Sequence, residues 1–390
     1  MREKESRRIA SIDVYRGLTI AGMILVTDPG TYNAVYPPLL HAAWNGVTAT
    51  DIIFPSFLFI VGMVLPFAVE SRMEQGATDR TITLHLLKRS LILVALGLAV
   101  NGFPDYHWST LRWPGILQRI AICYLAAGWL YLATRRSTRL QSERRFDVQS
   151  VSMGGLALLL LGLYWVLIRV VPVPGIGAGH LDTYRSLPAF IDRGIIGIPH
   201  MWIWGLTPGM GVTYDPEGIL STLPAMANTL LGLCTGIFLT RHRVTLRSAL
   251  LLALTGALLA TCGWLLDPVL PLNKRLWTSS FAVFSGGISL FLFSLLYIVV
   301  DLWRSRWWTI PPLILGTNAI LAFVLSGVIT ASTDNISMNN KETLHAWVYG
   351  HIFAPLLSPR NASLAYAVTM VLLNIVLILP LYRKRIFLRI

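Results

Sequence analysis

The sequence predicts an all-α fold, a polytopic bundle of about ten transmembrane helices with both termini in the cytoplasm. Three observations support this prediction. Apolar residues make up 54% of the 390 residues and only 13% are charged. The mean hydropathy is +0.61. Apolar stretches long enough to cross a hydrocarbon core of about 30 Å, which takes roughly 20 helical residues, recur along the whole chain. Residues 1–390 are therefore expected to form a single transmembrane domain.

Apolar runs bounded by breaker residues give the individual spans. The first run is interpreted as an uncleaved span, because Asp13 and Arg16 interrupt its start and no small-x-small cleavage site precedes Pro29. The predicted spans are 12–28, 50–69, 86–102, 114–134, 150–171, 219–240, 248–266, 277–300, 309–330 and 363–382.

The basic residues predict the orientation of the bundle. The net charge of +13 does not indicate a nucleic-acid partner, because the basic residues cluster in short loops between apolar runs. Cytoplasmic loops carry the excess of Lys and Arg. With the N-terminus inside, most of the 32 Lys and Arg residues fall on inner segments. The inner clusters are Arg135, Arg136, Arg139, Arg144 and Arg145 in one loop, and Arg383, Lys384, Arg385 and Arg389 at the C-terminus.

The loops predicted on the outer side differ from the inner loops in composition. Residues 29–49, 103–113, 172–218 and 331–362 are rich in Pro, Gly, Trp and His, and contain six of the eight histidines. Loops of this length usually carry function or are disordered. We therefore expect 29–49, 172–218 and 331–362 to be functional outer loops. Within the last of them, residues 342–357 are predicted to form a helix along the membrane surface.

Polar and thiol groups inside the predicted spans have structural interpretations beside functional ones. Asp13 and Arg16 are spaced for one helix face, which favours a structural ion pair over an anion site. Arg119 either locks helices together or holds a phosphate or carboxylate, and both interpretations stay open. Asn228 and Asn318 are expected to donate hydrogen bonds between helices. The cysteines Cys123, Cys234 and Cys262 all fall in spans, so no disulfide is expected.

Two further groups near span ends are expected to be structural. The stretch Asp215-Pro-Glu217-Gly is typical of a helix start, with an N-cap, a proline at the first position and an acid in the first turn. Lys274 and Arg275 lie at a predicted outer boundary, where contact with lipid headgroups is the structural interpretation.

The loop between the first two spans contains a candidate catalytic set. Acyl transfer requires a group that removes a proton or carries the acyl group, and a histidine can do either. It also requires an orienting carboxylate and donors for the developing oxyanion. His41, Asp51 and Asn45 supply these groups within one short loop. The alternative is that Thr48-x-x-Asp51 is only a capping box that starts the second helix.

Several motifs resemble the heparan-α-glucosaminide N-acetyltransferase family of transmembrane acetyltransferases, in order along nearly the whole chain. The motifs are SIDVYRG (11–17), HAAWNGVTATDIIFPSF (41–57), LQRIAICYL (117–125), YDPEGILSTLPA (214–225), LNKRLWTSS (272–280), GTNAIL (316–321) and LYRKRIFLRI (381–390).

This resemblance implies that His41 is the catalytic residue, with Asp51 beside it. It implies acetyl-CoA as the cytoplasmic acyl donor, with no metal, and an amino sugar or glycan as the acceptor on the far side of the lipid bilayer. We expect Arg16, Arg119 and Lys274 to contact the donor, because its phosphates are anionic. The oligomeric state is left open, with a homodimer as one alternative.

Two departures from the lysosomal members bear on the acceptor. We expect no counterpart of their additional N-terminal luminal domain, and Val26-Thr27-Asp28 stands where the resemblance implies a polar Asn. The first difference fits a minimal bacterial inner-membrane form. The two differences together leave the acceptor sugar open, and heparan sulfate is not expected to be the acceptor. The rival hypotheses are a sugar transporter or permease, and a structural or lipid-handling protein without chemistry.

Overall fold

The computed structural model describes residues 9–138, 145–242, 245–338 and 342–388. The regular secondary structure in these ranges is helical apart from two short hairpins, and loops connect the elements. The helices are α1 (Ala10–Thr27), α2 (Ala49–Glu74), α3 (Asp79–Gly102), α4 (Ile116–Thr138), α5 (Arg145–Val170), α6 (Leu187–Ile195), α7 (Thr222–Arg241), α8 (Leu246–Leu265), α9 (Ser279–Leu296), α10 (Ile310–Thr317), α11 (Ala319–Asn335), α12 (Leu344–Val348) and α13 (Pro359–Arg383). The hairpins pair β1 (Leu206–Thr207) with β2 (Gly211–Val212), and β3 (Ser337–Met338) with β4 (Glu342–Thr343).

The predicted all-helical membrane fold is confirmed. Within the described ranges, 9 helices are long and apolar enough to cross a membrane, and the number is ten if the bent pair α10 and α11 forms one span. That pair corrects the prediction for 309–330, because α10 and α11 are bent by 87° at a break rather than forming one helix. Asn318 lies at the break. Its Nδ2 donates to the carbonyl of Ile386 (3.2 Å) and its Oδ1 accepts from the amide of Leu388 (2.8 Å), so it binds the C-terminal segment instead of another span.

Close packing of α2 against α7 fixes the helix that begins at the candidate site. A Cβ atom built on Gly62 would lie 1.9 Å from the carbonyl oxygen of Thr229, and one built on Gly232 would lie 1.9 Å from that of Phe59. The two backbones therefore touch where no side chain could fit. Small residues permit such close approach between membrane helices.

Two expectations about polar and thiol groups in the bundle are confirmed. Asn228 on α7 donates to the carbonyl of Ala282 on α9 (2.9 Å) and accepts from the indole of Trp277 (2.9 Å), so it links helices. The three cysteines lie in α4, α7 and α8 and are unpaired. These contacts belong to the packing of the core.

The loops predicted on one side of the membrane meet at one end of the bundle, which we call the His41 end. Four contacts join them: Trp44 to the carbonyl of Leu181, Asn45 to Asn273, Tyr36 to Asn361, and the amide of Trp113 to the carbonyl of His200. The loop 28–48 takes part in three of the four contacts. It therefore lies at the centre of this surface.

The other end of the bundle contains the predicted inner segments. Arg383 closes α13 there, at the opposite end of the helix from Pro359. Arg139, Arg144 and Arg389, which also supported the predicted orientation, lie outside the described residues. The cytoplasmic placement of both termini stays a prediction.

The segment 342–357 does not form the single surface helix that the sequence suggested. Strand β4 occupies its start, and the short α12 then continues into a π-helical turn at Tyr349–Phe353. The hairpin takes up the residues that would have formed the first helical turn.

Candidate active site

His41 lies in the loop between α1 and α2, and Asp51 holds its ring. The Nδ1 atom of His41 lies 2.7 Å from Oδ1 of Asp51. The His41 side chain is 44% exposed, whereas that of Asp51 is 1% exposed. Nε2 of His41 has no hydrogen-bond partner among the described residues. A carboxylate at Nδ1 favours the tautomer with its proton on that nitrogen, which leaves the lone pair of Nε2 without a protein partner among the described residues.

Asp51 is fixed by the start of α2. Its Oδ2 atom accepts hydrogen bonds from the amides of Thr48 (2.9 Å) and Ala42 (3.1 Å) and from the Thr48 hydroxyl (3.1 Å). Thr48 and Asp51 form the predicted capping box at the helix N-terminus. The capping and the histidine-holding interpretations of Asp51 are therefore both correct, because the two carboxylate oxygens serve different partners.

Trp44 attaches the His41 loop to the long loop between α5 and α7. Its indole N–H donates to the carbonyl of Leu181 (2.8 Å), and its ring meets the edge of Tyr214 at a centroid distance of 5.2 Å. Arg275 in turn donates to the Tyr214 hydroxyl (2.5 Å). Arg275 therefore binds a protein hydroxyl, where a headgroup contact was expected. These contacts restrict the loop without covering His41.

Asn45 connects the His41 loop to the segment that carries Lys274. Its Oδ1 accepts from Nδ2 of Asn273 (3.1 Å), and the neighbouring amide of Gly46 donates to the carbonyl of Leu272 (2.7 Å). The amide nitrogen of Asn45 keeps its hydrogens for another acceptor, since no described residue accepts from it. Lys274 follows Asn273 directly, so these two bonds bring its segment to the site.

Positive charge beside His41 favours the neutral imidazole. Burial lowers the pKa of His41, Lys274 lowers it further, and the hydrogen bond to Asp51 offsets only part of this, so the pKa lies below its ordinary value of 6.5. Burial likewise lowers the pKa of Lys274, against the opposing effect of Glu217 and Asp51. Near neutral pH, Nε2 of His41 is therefore available to accept a proton.

A buried ion network that the sequence did not predict lies next to this site. Arg112 donates to both carboxylate oxygens of Asp215 (2.9 and 2.6 Å) and to Glu217 (2.6 Å). Burial opposes the charge of Arg112, but Glu217 and Asp215 more than compensate, so the pKa of Arg112 is raised. The cation of Lys274 also acts on Glu217, which connects the network to the candidate site.

The network corrects the interpretation of Asp215 and Glu217 as helix caps. Helix α7 begins only at Thr222. The amide of Ile219 donates to Asp192 instead, a residue 27 positions earlier (2.9 Å). Burial raises the pKa of Asp192 to about 7. The only sequence signal for this arrangement was the motif at 214–225, because the partners are far apart in the chain.

Arg119 is buried in the first turn of α4. It donates to the carbonyl of Gly218 (3.0 Å) and to the Ser221 hydroxyl (2.5 Å), and its guanidinium lies 5.1 Å from the ring centroid of Trp277. Its Nε and Nη1 atoms have no hydrogen-bond partner among the described residues. Arg119 therefore links α4 to the segments that precede α7 and α9, and it keeps unused donors.

Arg16 does not meet the other candidate residues. It forms the predicted pair with Asp13 (2.9 Å), and its Nε donates to the carbonyl of Gly316 (2.5 Å) at the end of α10. Arg16 lies 11 residues before the end of α1, which corresponds to about 16 Å along the helix. The pair with Asp13 is present as predicted, and the contact of Arg16 with the donor stays a prediction.

Asp28 ends the stretch Val26-Thr27-Asp28 at the start of the His41 loop. It is buried at the end of α1, and its two carboxylate oxygens accept from the hydroxyls of Ser326 and Thr330 on α11, both at 2.7 Å. Burial raises the pKa of Asp28 despite these donors. Here the carboxyl binds α11 to α1.

The comparisons with known proteins agree with the motifs. Residues 8–142 match the family model described as heparan-alpha-glucosaminide N-acetyltransferase, catalytic. The chain is 28% identical over 352 residues to the heparan-alpha-glucosaminide N-acetyltransferase of Homo sapiens, covering 81% of this chain and 52% of that protein. It is 27% identical over 357 residues to the Mus musculus protein, covering 83% and 54%. The chain thus spans about half the length of the curated relatives it matches, and the family resemblance is confirmed as a distant homology.

Proposed function

We propose that this distant homologue of the heparan-α-glucosaminide N-acetyltransferases, with the catalytic-domain match in residues 8–142, is itself a transmembrane acetyltransferase. It takes acetyl from cytoplasmic acetyl-CoA and passes it to an amino sugar or glycan on the periplasmic side of a bacterial inner membrane. The observation that carries the proposal is the 2.7 Å contact between His41 and the buried Asp51. It leaves Nε2 of a partly exposed imidazole without a protein partner among the described residues, within electrostatic reach of Lys274 and Arg275.

In one mechanism, His41 is a general base. Its Nε2 takes a proton from the acceptor amine while the amine nitrogen attacks the thioester carbonyl. The C–N bond forms, the C–S bond breaks, and the imidazolium returns the proton to the departing CoA thiolate. Asp51 stabilises the imidazolium through Nδ1.

In the other mechanism, His41 carries the acetyl group. Nε2 attacks the thioester and forms an acetyl-imidazole as the CoA thiolate leaves. The acceptor amine then attacks this acetyl group, the N–C bond to His41 breaks, and the amine proton is released to protonate the thiolate. Asp51 holds the ring in the same tautomer in both mechanisms.

Asn45 and Lys274 are proposed to stabilise negative charge at the reacting carbonyl and on the donor. The free amide hydrogens of Asn45 suit a developing oxyanion. Lys274 makes no salt bridge within the described ranges, although Glu217 and Asp51 act on it electrostatically, so its ammonium is available to an anionic donor. Arg119 is proposed as a further donor contact because two of its nitrogens are unused. Arg16 lies toward the N-terminal end of α1, away from His41, and is proposed to contact the donor there.

The sidedness in this proposal rests on the distribution of charge. The His41 end gathers the predicted outer loops, and the arginine-rich inner segments follow the other helix ends. Donor and acceptor would then reach one imidazole from different sides.

The proposal is tested with purified protein in vesicles. Labelled acetyl-CoA is supplied on one side and a panel of amino sugars and envelope glycans on the other, and mass spectrometry identifies acetylated products. We expect a labelled N-acetyl product with wild type and none above background with His41→Ala. Sugar movement that both proteins support equally, without acetylation, would establish the transporter hypothesis instead.

A further inference from the structure

A second cluster of charged side chains lies where the end of α2 faces the second and third turns of α3. We call Arg72, His85, Lys88 and Arg89 the basic cluster. Nη2 of Arg72 lies 2.6 Å from Nε2 of His85. Since a guanidinium only donates, Nε2 of His85 must accept, which requires the neutral ring. Arg72, Lys88 and Arg89 all lie within electrostatic reach of His85.

The cations of the basic cluster have no acidic partner. Among the described residues, Arg72, Lys88 and Arg89 make no salt bridge. Glu70, two residues before Arg72, accepts instead from the Tyr131 hydroxyl (3.0 Å). Three positive charges near one another without compensation cost free energy unless an anion joins them.

Arg89 keeps a hydrogen-bond donor that no described residue uses. Its guanidinium stacks on the ring of Tyr124 at 4.7 Å, and its single contact with the Tyr124 hydroxyl is long, at 3.5 Å. The Nε atom is buried and has no hydrogen-bond partner in the part of the chain that the structure describes. A stacked guanidinium with unused donors suits a phosphate group.

Lys88 continues the cluster onto the membrane-facing surface of α3. It lines a shallow groove of about 440 Å³, whose other lining residues are Leu84, Leu87, Leu91, Ile92 and Ala95. The groove therefore joins an apolar wall to a cation at its edge. An anionic headgroup with an attached chain would match that pattern.

The basic cluster is distant from His41. Arg72 follows Asp51 by 21 residues on the same helix, which corresponds to about 31 Å along α2. That is about the thickness of a hydrocarbon core, so the two sites lie at opposite ends of the bundle. A group bound at the basic cluster is not the group that reacts at His41.

We propose that the basic cluster is a binding site for a phosphate group. The cluster offers two guanidinium groups, an ammonium and a histidine, with no carboxylate among them. Two phosphate-bearing molecules could supply the ligand: the phosphoadenosine part of the acetyl donor, which rests on the proposed function, or an anionic lipid headgroup.

The test measures binding and not turnover, with the full chain in detergent. Calorimetry compares CoA with dephospho-CoA, and native mass spectrometry compares phosphatidylglycerol with phosphatidylcholine. The variants are Lys88→Gln, whose exposed side chain leaves the core intact, and Arg89→Gln. Arg80→Gln is the matched control, because Arg80 is exposed on the same helix and loses the same charge.

For a donor phosphate, Arg89→Gln weakens CoA binding about tenfold or more, leaves dephospho-CoA binding unchanged, and Arg80→Gln has no effect. If the ligand is a lipid headgroup, Lys88→Gln and Arg89→Gln reduce the phosphatidylglycerol adducts seen by native mass spectrometry. They leave the phosphatidylcholine adducts and CoA binding unchanged. Either result supports the site, whereas variants indistinguishable from Arg80→Gln in both measurements overturn it. His41→Ala should bind phosphate like wild type, so a failure of acetyl transfer and a failure of this site are distinguishable.

Discussion

Asp51 binds His41 with one carboxylate oxygen and caps α2 with the other. Oδ1 faces Nδ1 of the imidazole at 2.7 Å, and Oδ2 accepts the amide of Thr48 at 2.9 Å. The orientation of the ring is thereby coupled to the first turn of a helix that packs tightly in the bundle. This coupling places an exposed imidazole on a rigid support.

Replacing Asp51 by Asn should remove the negative charge beside His41 while keeping a side chain of nearly the same shape. The amide can still cap the helix but no longer stabilises an imidazolium, so acetyl transfer should fall by about 10²-fold or more. Initial rates and the melting temperature measure the two effects. Thr245→Ala is the matched control, because Thr245 caps α8 in a similar capping box. It should cost about 1 kcal/mol of stability without a loss of activity. An Asp51→Asn variant with the wild-type rate would contradict the role of the carboxylate.

The acid limb of the pH profile should lie below pH 6.5. Because burial and Lys274 lower the pKa of His41, the imidazole stays neutral at neutral pH, and the rate falls only as pH drops through that lowered pKa. Lys274→Gln removes a cation that disfavours imidazolium, so the limb should move to higher pH. Arg275→Gln should move it the same way by less, and Arg185→Gln not at all. A limb that stays fixed in Lys274→Gln would show that this lysine does not act on His41.

Removing Arg112 should destabilise the protein strongly. Arg112→Gln leaves Asp215 and Glu217, whose side chains are 0% and 5% exposed, without their cation. Breaking a buried pair in this way costs about 3–5 kcal/mol of unfolding free energy. Arg112 lowers the pKa of Glu217, so the wild-type network loses stability as pH falls through that lowered value. The deficit of the variant should therefore shrink in acid.

The pair Arg185 and Asp182 provides the comparison for that prediction. Their side chains are 55% and 37% exposed. Arg185→Gln should change stability by less than about 1 kcal/mol. Equal losses in the two variants, measured by thermal unfolding in the same detergent, would show that burial of the Arg112 network contributes nothing.

The contact between α2 and α7 should reject even one additional methyl group. In Gly62→Ala the new Cβ would meet the carbonyl oxygen of Thr229, so the helices must separate and stability should fall by several kcal/mol. Gly154→Ala adds the same atom where no other atom lies within 4 Å, and it should be neutral or stabilising. A Gly62→Ala protein with the same melting temperature as wild type would contradict the close packing.

The spans and the His41 loop could be predicted from sequence because both depend on local information. Hydropathy reports whether a helix crosses lipid, and Asp51 lies only ten positions from His41. Hydropathy does not report direction, so the 87° bend between α10 and α11 was not predicted. The motif at 214–225 was misread for a related reason. Asp215 and Glu217 fit a local capping pattern, but a buried Arg112 more than 100 positions away took both carboxylates.

The contact of Asn273 with the site could not be predicted from residue spacing either. Its side chain meets Asn45 across 228 positions of sequence. Only the family resemblance pointed to the segment 272–280, without saying which residue it would contact. Such long-range pairs are set by the packing of helices, which no local pattern encodes.

A single-turnover experiment tests the central claim most directly. Wild type and His41→Ala, each mixed with labelled acetyl-CoA and an amino sugar acceptor, are quenched over time and their N-acetylated product is counted. We predict product formation in wild type and a rate at least about 10²-fold lower in the variant. An unchanged rate in correctly folded His41→Ala would show that this imidazole neither accepts the proton nor carries the acetyl group.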